Sequence, residues 1–410
     1  MELHQTPSSD IFNLPCPARR EVKAERLQNP NSLVLLIGGT SAVINAVTAS
    51  GQIAGFNKLS WDEFRAIQGS LDVQARTPEL VQCLAARVAQ VLSLAEIDPI
   101  TVRTLGISFA GLVTKGTVTS TNVPVRLHCY DLAAHLRQEL FQVGINITRS
   151  ITLNDGLAGT LGEMRSPEGS LRSGTGMFII WGTGVGGGAV SNGKRDSGLT
   201  EFGHTLLRVG ALTDPPLYRY APMAVLAEEG MLKENRFLLP PSGLTYLEQV
   251  VAGPWAALRF AKRALAEGLG AELQIAAKLS ADELALIHSL DESTVLEWNR
   301  KVPSSLFHRL NSIVIGAPAE PSNFGSLAAT ARAYNLSLAR EWGAAIKAIR
   351  TAHPHHQIVL GSGMAEARRS DTEFLRELNS AAGSEANPVA LSALDGPSRE
   401  AAGFMRKQPQ

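Results

Sequence analysis

The sequence predicts a two-lobed α/β protein, and three observations carry that expectation. Its 410 residues, 44% hydrophobic and 19% charged, can bury a large core and divide into two domains. Apolar runs of strand length are interleaved with helical patterns. A strand leading into a glycine-rich bend and a second strand occurs twice, the mark of a duplicated unit.

Composition narrows the function. The formal net charge is +0, which gives no electrostatic reason to expect nucleic acid, an anionic membrane or an acidic polymer as partner. A small molecule is expected instead. Cys16, Cys83 and Cys129 lie far apart with no CxxC, which supports neither a disulfide framework nor a cysteine-rich zinc site and suits a reducing cytoplasm. Residues 1–31 lack the apolar stretch of a secretory signal and read as an N-terminal extension, and no later apolar run reaches spanning length.

The first lobe is expected over 32–155. Leu33 to Ile37, the bend Gly38-Gly39-Thr40 and Val43 to Val47 read as strand, turn, strand. Thr77-Pro78 opens a helix to about Leu94, with Pro at the first helical position. Val102 to Phe109 is a buried strand, Gly116 to Val123 a short strand and turn, and Asp131 to Val143 a helix. Ile151 to Leu153 is a strand that stops at Asn154-Asp155-Gly156, with a helix from about Leu157 to Met164.

The second lobe is expected over 156–396. Gly176 to Trp181 feeds the bend Gly182 to Gly188, followed by Ala189 to Ser191 and an Asn192-Gly193 turn. The Pro-rich stretch 209–245 reads as an insertion with a helix around Met223 to Lys233. Helices are expected over Tyr246 to Glu267, Ala281 to Leu290 and Ser326 to Ala352, making 265–325 a helical segment. Ile358 to Leu360 is a strand ending at Gly361-Ser362-Gly363, and a closing helix within 397–408 is expected to pack back on the first lobe.

Four constellations carry chemistry. Gly38-Gly39-Thr40 lets backbone N–H groups approach phosphate oxygens, and equally suits an ordinary hairpin. Gly182-Thr183-Gly184-Val185-Gly186-Gly187-Gly188 repeats the device with a glycine density that a plain hairpin does not need. It is followed by a strand, unlike a Walker A or dinucleotide loop. Asp155, where a strand meets a helix, suits a general base for a hydroxyl or a helix N-cap. Glu201 and His204, three apart, suit vicinal hydroxyls if one helical turn aligns them, and Glu248 opens a helix.

In this order the motifs resemble the ROK (repressor, open reading frame, kinase) family of bacterial sugar kinases, over roughly residues 32 to 408. The anchors are Ile37 to Thr40, Gly106-Ile107-Ser108 with Gly111, Thr121 to Pro124, Leu153 to Asp155 with Gly162-Glu163, Gly182 to Gly188, Glu201 to His204, Leu247-Glu248 with Gly253-Pro254, and Ile358 to Gly363. The resemblance implies an actin-like, hexokinase-like ATPase fold of duplicated ribonuclease H-like domains with helical insertions. It implies a glucokinase-like activity, with Asp155 as base and a hexose primary hydroxyl as acceptor. Asn122, Asn154, Glu201, His204, Glu248 and Gly111 would contact the sugar. Gly38, Gly39, Thr40, Gly182, Thr183, Gly184, Gly361 and Gly363 would border the phosphates of ATP, with Mg²⁺. A cytoplasmic homodimer follows from the same resemblance.

Two departures from the family pattern stand out. Leu36 occupies the position of the first-loop acid that helps to place magnesium. The insertion has no cysteine, so no structural zinc is expected, as in polyphosphate-using glucokinases, whose Thr-Glu-Leu-Gly-His is similar to Thr200 to His204. Polyphosphate is thus a second candidate donor. Leu36 leaves open a non-catalytic sugar-binding or regulatory protein, and the grip on hydroxyls leaves open a cyclitol or other polyol as acceptor. ROK repressors carry an N-terminal DNA-binding domain, for which the residues before Ser32 are too short and too weakly basic.

Overall fold

The computed structural model describes residues 32–39, 41–48, 52–61, 63–64, 77–121, 127, 130–196, 202–217, 240–290, 304–316, 324–383, 387–394, 396, 399 and 404. The N-terminal extension, the helix expected around 223–233, Thr40, Asn122, Glu201 and most of the closing helix lie outside them. The chain forms two compact units, residues 1–162 with 397–410, and residues 163–396.

In the first unit, β1 (Ser32–Ile37), β2 (Ser41–Val47) and β3 (Ile53–Ser60) form an antiparallel meander. Helix α1 (Thr77–Leu94) follows, then β4 (Thr104–Phe109) and the ribbon of β5 (Gly111–Thr114) and β6 (Thr117–Thr121). Helix α2 (Leu132–Gln142) leads to β7 (Arg149–Asn154) and α3 (Asp155–Arg165). The sheet order is β3-β2-β1-β4-β7, with β4 parallel to both neighbours. One face packs on α1 and α2 through Leu35, Ile37, Ile44, Leu84, Val88, Ile107 and Leu136. On the other, the Phe404 ring lies directly on Gly106, where an added Cβ would come within 2.6 Å of it.

The second unit repeats the topology. β8 (Gly176–Trp181), β9 (Val185–Ser191) and β10 (Lys194–Asp196) form the meander. β11 (Leu206–Arg208) pairs with β12 (Leu244–Tyr246), and α4 (Leu247–Val251) follows at once. Next come α5 (Gly253–Ala266), α6 (Gly270–Ala276), α7 (Ala281–Ser289), α8 (Ser304–Gly316) and the 28-residue α9 (Gly325–Ala352). β13 (Gln357–Gly361), the single turn α10 (Gly363–Glu366), α11 (Thr372–Ala381) and β14 (Ala390–Leu391) complete the unit. The order β10-β9-β8-β13-β14, with β13 parallel to β8 and β14, matches the first sheet strand for strand. The expected duplicated α/β fold is what the chain adopts.

Two local expectations change. The helix expected over 246–267 is two helices, broken at Ala252. Gly253 donates its N–H to the Gly182 carbonyl at 2.7 Å, and Pro254 then starts α5. A Cβ on Gly253 would sit 3.0 Å from that oxygen, a tight approach. The division between the compact units falls inside α3, after Gly162. An added Cβ on Gly162 would lie 1.9 Å from the Arg399 carbonyl oxygen, which ties this part of α3 to the chain's closing segment. Strand β3 and helix α11 are additional elements that local patterning did not reveal.

Candidate active site

In the first unit, Ile37, Phe109 and Asn154 are aligned across parallel strands β1, β4 and β7. Gly38-Gly39, Ala110-Gly111 and Asp155 therefore leave the sheet at the same edge, the carboxyl ends where α/β sheets present their ligand-binding groups. Asn154 binds three ways: its Oδ1 accepts the Leu157 N–H at 3.2 Å, and its Nδ2 donates to the Gly111 carbonyl at 2.9 Å and to Asp155 Oδ1 at 3.0 Å. Asn154 is thus the residue that caps α3. Asp155 Oδ1 also accepts the Gly156 N–H at 2.8 Å, which holds the carboxylate in one orientation at the positive end of the helix.

The first glycine bend is held from behind by Trp61, a residue with no local sequence signal. Its indole N–H donates to the Gly38 carbonyl at 2.9 Å, and Gly38 N–H to Ser41 O at 2.9 Å. Leu36, in register with Ser108 and Leu153, packs with Val34, Val47 and Phe404. Ser108 Oγ is buried without a hydrogen-bond partner among the described residues. β1 ends on apolar side chains and offers no carboxylate for a magnesium ion.

In the second unit, Gly361 is aligned with Ile180, so the bend after Trp181 and the turn Gly361-Ser362-Gly363 emerge together. An added Cβ on Gly182 would lie 3.2 Å from Ser362 Oγ. Ser362 has φ +81° and ψ 172°, a backbone region normally left to glycine and a form of strain found at ligand-binding turns. Gly186 and Gly363 have no positive φ, and an added Cβ at either would meet nothing within 4 Å. Neither turn geometry nor packing requires glycine there, which fits a cradle kept open for phosphate. Gly187 differs: a Cβ would lie 2.4 Å from the Phe178 carbonyl oxygen and 2.6 Å from the Phe202 ring.

Arg368 is buried against the last residue of β8 and the first turns of α10 and α11. Its guanidinium lies 4.6 Å from the Trp181 ring centroid and 5.5 Å from that of Phe374, and donates to Met364 O at 2.8 Å and Asn335 Oδ1 at 2.7 Å. Burial pushes it down to about 10, opposed by the Asp371 carboxylate.

Phe202–His204 is a 3₁₀ turn, and the His204 ring stacks obliquely on Tyr246 with centroids 5.4 Å apart. Glu248, on α4, reaches both the turn and the loop. Its Oε2 accepts the Val185 N–H at 2.9 Å and lies 2.9 Å from where a Gly203 Cβ would be. The structure thus gathers Gly111, Asn154 and Asp155 in one unit, and Gly184, Val185, Gly203 and Glu248 in the other. Among the described residues no group of three His, Cys, Asp or Glu side chains could hold a metal ion.

The chain is similar to the ROK family, whose model matches residues 34–223. Solved structures of ROK proteins show the same fold over nearly the whole chain. A ROK family glucokinase from Streptomyces griseus, in complex with glucose and AMPPNP, aligns with TM-score 0.53 at 19% identity, covering 91% of this chain and 97% of its own. A ROK family protein from Streptococcus pneumoniae in complex with sucrose aligns with TM-score 0.50 at 14% identity, covering 91% and 96%. A ROK family transcriptional regulator, homologous to the E. coli MLC protein, gives 0.54 at 15%, covering 92% of this chain and 78% of its own. Comparison with curated protein sequences gives no match. The ROK fold, actin-like and hexokinase-like, therefore hosts both kinases and a regulator among these neighbours, and the site must decide between them.

Proposed function

We propose that this protein is a sugar kinase that transfers the terminal phosphoryl group of ATP to a primary hydroxyl of a hexose such as glucose. The observation that carries this reading is the Asn154–Asp155 pair. Asn154 performs the capping of α3, and Asp155, at the sheet edge with Oδ1 held by two N–H donors, supports the reading as a base over the reading as a cap. Asp155 accepts the proton of the attacking hydroxyl as the new O–P bond forms, and the bond to ADP breaks with its electron pair remaining on the ADP oxygen. Asn122, Asn154, Gly111, Glu201, His204 and Glu248 orient the sugar. Gly38, Gly39, Thr40, Gly182, Thr183, Gly184, Gly361 and Gly363 border the phosphates. Magnesium, when bound, supplies charge neutralisation to the phosphate oxygens, but no acid on β1 is placed to hold it.

Leu36 favours a second reading, a sugar-binding or regulatory protein that does not turn over. Removing an acid from the loop also removes a charge that repels phosphate, so binding can survive where transfer does not. A cyclitol or another polyol as acceptor, and polyphosphate as donor, belong to the same test. That test is a phosphorylation screen of hexoses, amino sugars and cyclitols with ATP and with polyphosphate. The kinase reading expects transfer to at least one acceptor, lost by about 10²-fold or more in Asp155→Asn with an unchanged melting temperature. Hexose binding by calorimetry with no transfer from either donor would establish the second reading instead.

A further inference from the structure

His204 and Glu248 stand on pieces of chain too short to hold themselves. One is the three-residue 3₁₀ turn and the other the five-residue α4, and helices of such length have no stability of their own. Between them the chain runs out along β11 and returns along β12, with Leu247 N–H on the Thr205 carbonyl at 2.8 Å. Glu248 in turn sets the Val185 amide at the end of the glycine-rich loop. Whatever holds α4 therefore holds an acceptor ligand and the loop together.

Two buried side chains hold it, both by the carbonyls at its C-terminal end. Trp181 Nε1 donates to Val251 O at 2.6 Å, and Arg259 Nη1 donates to Val250 O at 2.8 Å. Arg259, on α5, is 2% exposed and uses all five of its N–H donors. Two go to Glu341 of α9, Nη1 to Oε2 at 3.0 Å and Nη2 to Oε1 at 2.7 Å. The others go to carbonyls: Val250, Pro215 from Nε at 3.3 Å, and Asp214 from Nη2. One planar group thus grips the outgoing chain at 214–215 and the returning chain at 250, a geometry that lysine cannot reproduce.

We propose that Arg259 is a positioning residue for the acceptor site: by gripping the chain on its way out from His204 and on its return at Glu248, it sets where the Glu248 carboxylate stands. Glu341 orients the guanidinium through two hydrogen bonds, and the three carbonyl bonds do the positioning. The proposal rests on the reading that His204 and Glu248 hold the acceptor, but its structural half can be measured without any acceptor.

The experiment compares Arg259→Met/Glu341→Met and Arg259→Lys with the wild type. Removing both charges together leaves no buried unpaired ion, and apolar residues of similar volume commonly keep stability. The readouts are global melting temperature, exchange of the Val185 amide by NMR, and glucose affinity by calorimetry. We expect the double variant to melt close to the wild type, with Val185 exchange faster and glucose affinity weaker, each by about tenfold or more. Arg259→Lys retains the charge beside Glu341 but loses the planar fork, and its Val185 amide is expected to be deprotected as well. Wild-type Val185 exchange in either folded variant would overturn the proposal, showing the ion pair to be structural only. Should the wild type itself bind no glucose, the acceptor reading loses its support, while the Val185 amide still decides the role of Arg259.

Discussion

Leu36 is the penultimate residue of β1, aligned with Ser108, whose buried hydroxyl has no partner among the described residues. Leu36→Asp places a carboxylate beside that hydroxyl. If a missing acid limits turnover, the variant raises phosphoryl transfer in a coupled assay by about tenfold or more. It also lowers the melting temperature, since Val34, Val47 and Phe404 would then border a charge. An unchanged rate would show that Leu36 is not the limiting departure. Trp61 offers a test of the first bend. Trp61→Phe keeps the ring and removes the N–H to Gly38 O, with an expected stability loss of about 1 kcal/mol. On the kinase reading it also weakens nucleotide affinity, and a denaturation curve with an AMPPNP titration separates the two.

At the scale of elements, the loop between β8 and β9 divides its glycines between packing and openness. Gly187→Ala drives a methyl into the Phe178 carbonyl and the Phe202 ring and should destabilise by about 2 kcal/mol or more, read from urea unfolding. Gly186→Ala meets open space, so its fold should be kept while AMPPNP affinity falls. Equal AMPPNP affinity in Gly186→Ala would remove that glycine from the cradle. Helix α11 supplies a pH test. Asp371 caps it through Phe374 N at 3.0 Å and pairs with Arg332 at 2.8 Å. Burial would raise its carboxyl, but the Phe374 N–H and Arg332 hold it below the usual aspartate value. A carboxyl lowered by folding stabilises above its unfolded value and loses that contribution as pH falls through the folded one. Asparagine keeps the cap and loses the charge, so the melting-temperature gap between wild type and Asp371→Asn should be present at neutral pH. It should close below about pH 4. A gap that persists in acid would assign the effect to the amide.

At the scale of the molecule, the chain crosses between its compact units twice, after Gly162 and after Gly396, so the first unit is completed only by the last residues. Gly106 is covered by Phe404, and Gly162 by the Arg399 backbone. Ending the chain at Gly396 uncovers that face of the first sheet. A loss of about 3 kcal/mol from this unit alone lowers its transition by roughly 6–12 °C in calorimetry. An unchanged transition would mean that the closing segment contributes nothing to the stability of the first unit.

The sequence by itself determined the duplicated α/β fold, because β1, β2, β8, β9 and the two glycine bends carry their own local signal and the two copies repeat it in order. The similarity to the ROK family was legible for the same reason: short motifs at set spacings survive as patterns even where identity is low. Local chemistry alone left Asp155 between base and cap. Only the neighbouring side chain, Asn154 on Leu157 N–H, shows which residue caps. The break at Ala252, the Trp61 bond to Gly38, the two kinds of glycine in one loop and the five-way grip of Arg259 were invisible in one dimension. Each joins positions distant in sequence, such as Gly182 with Gly253 or Arg259 with Glu341, and no periodicity or propensity encodes such a meeting. Tertiary structure decided these, because a close approach or a buried charge takes its meaning from what it touches.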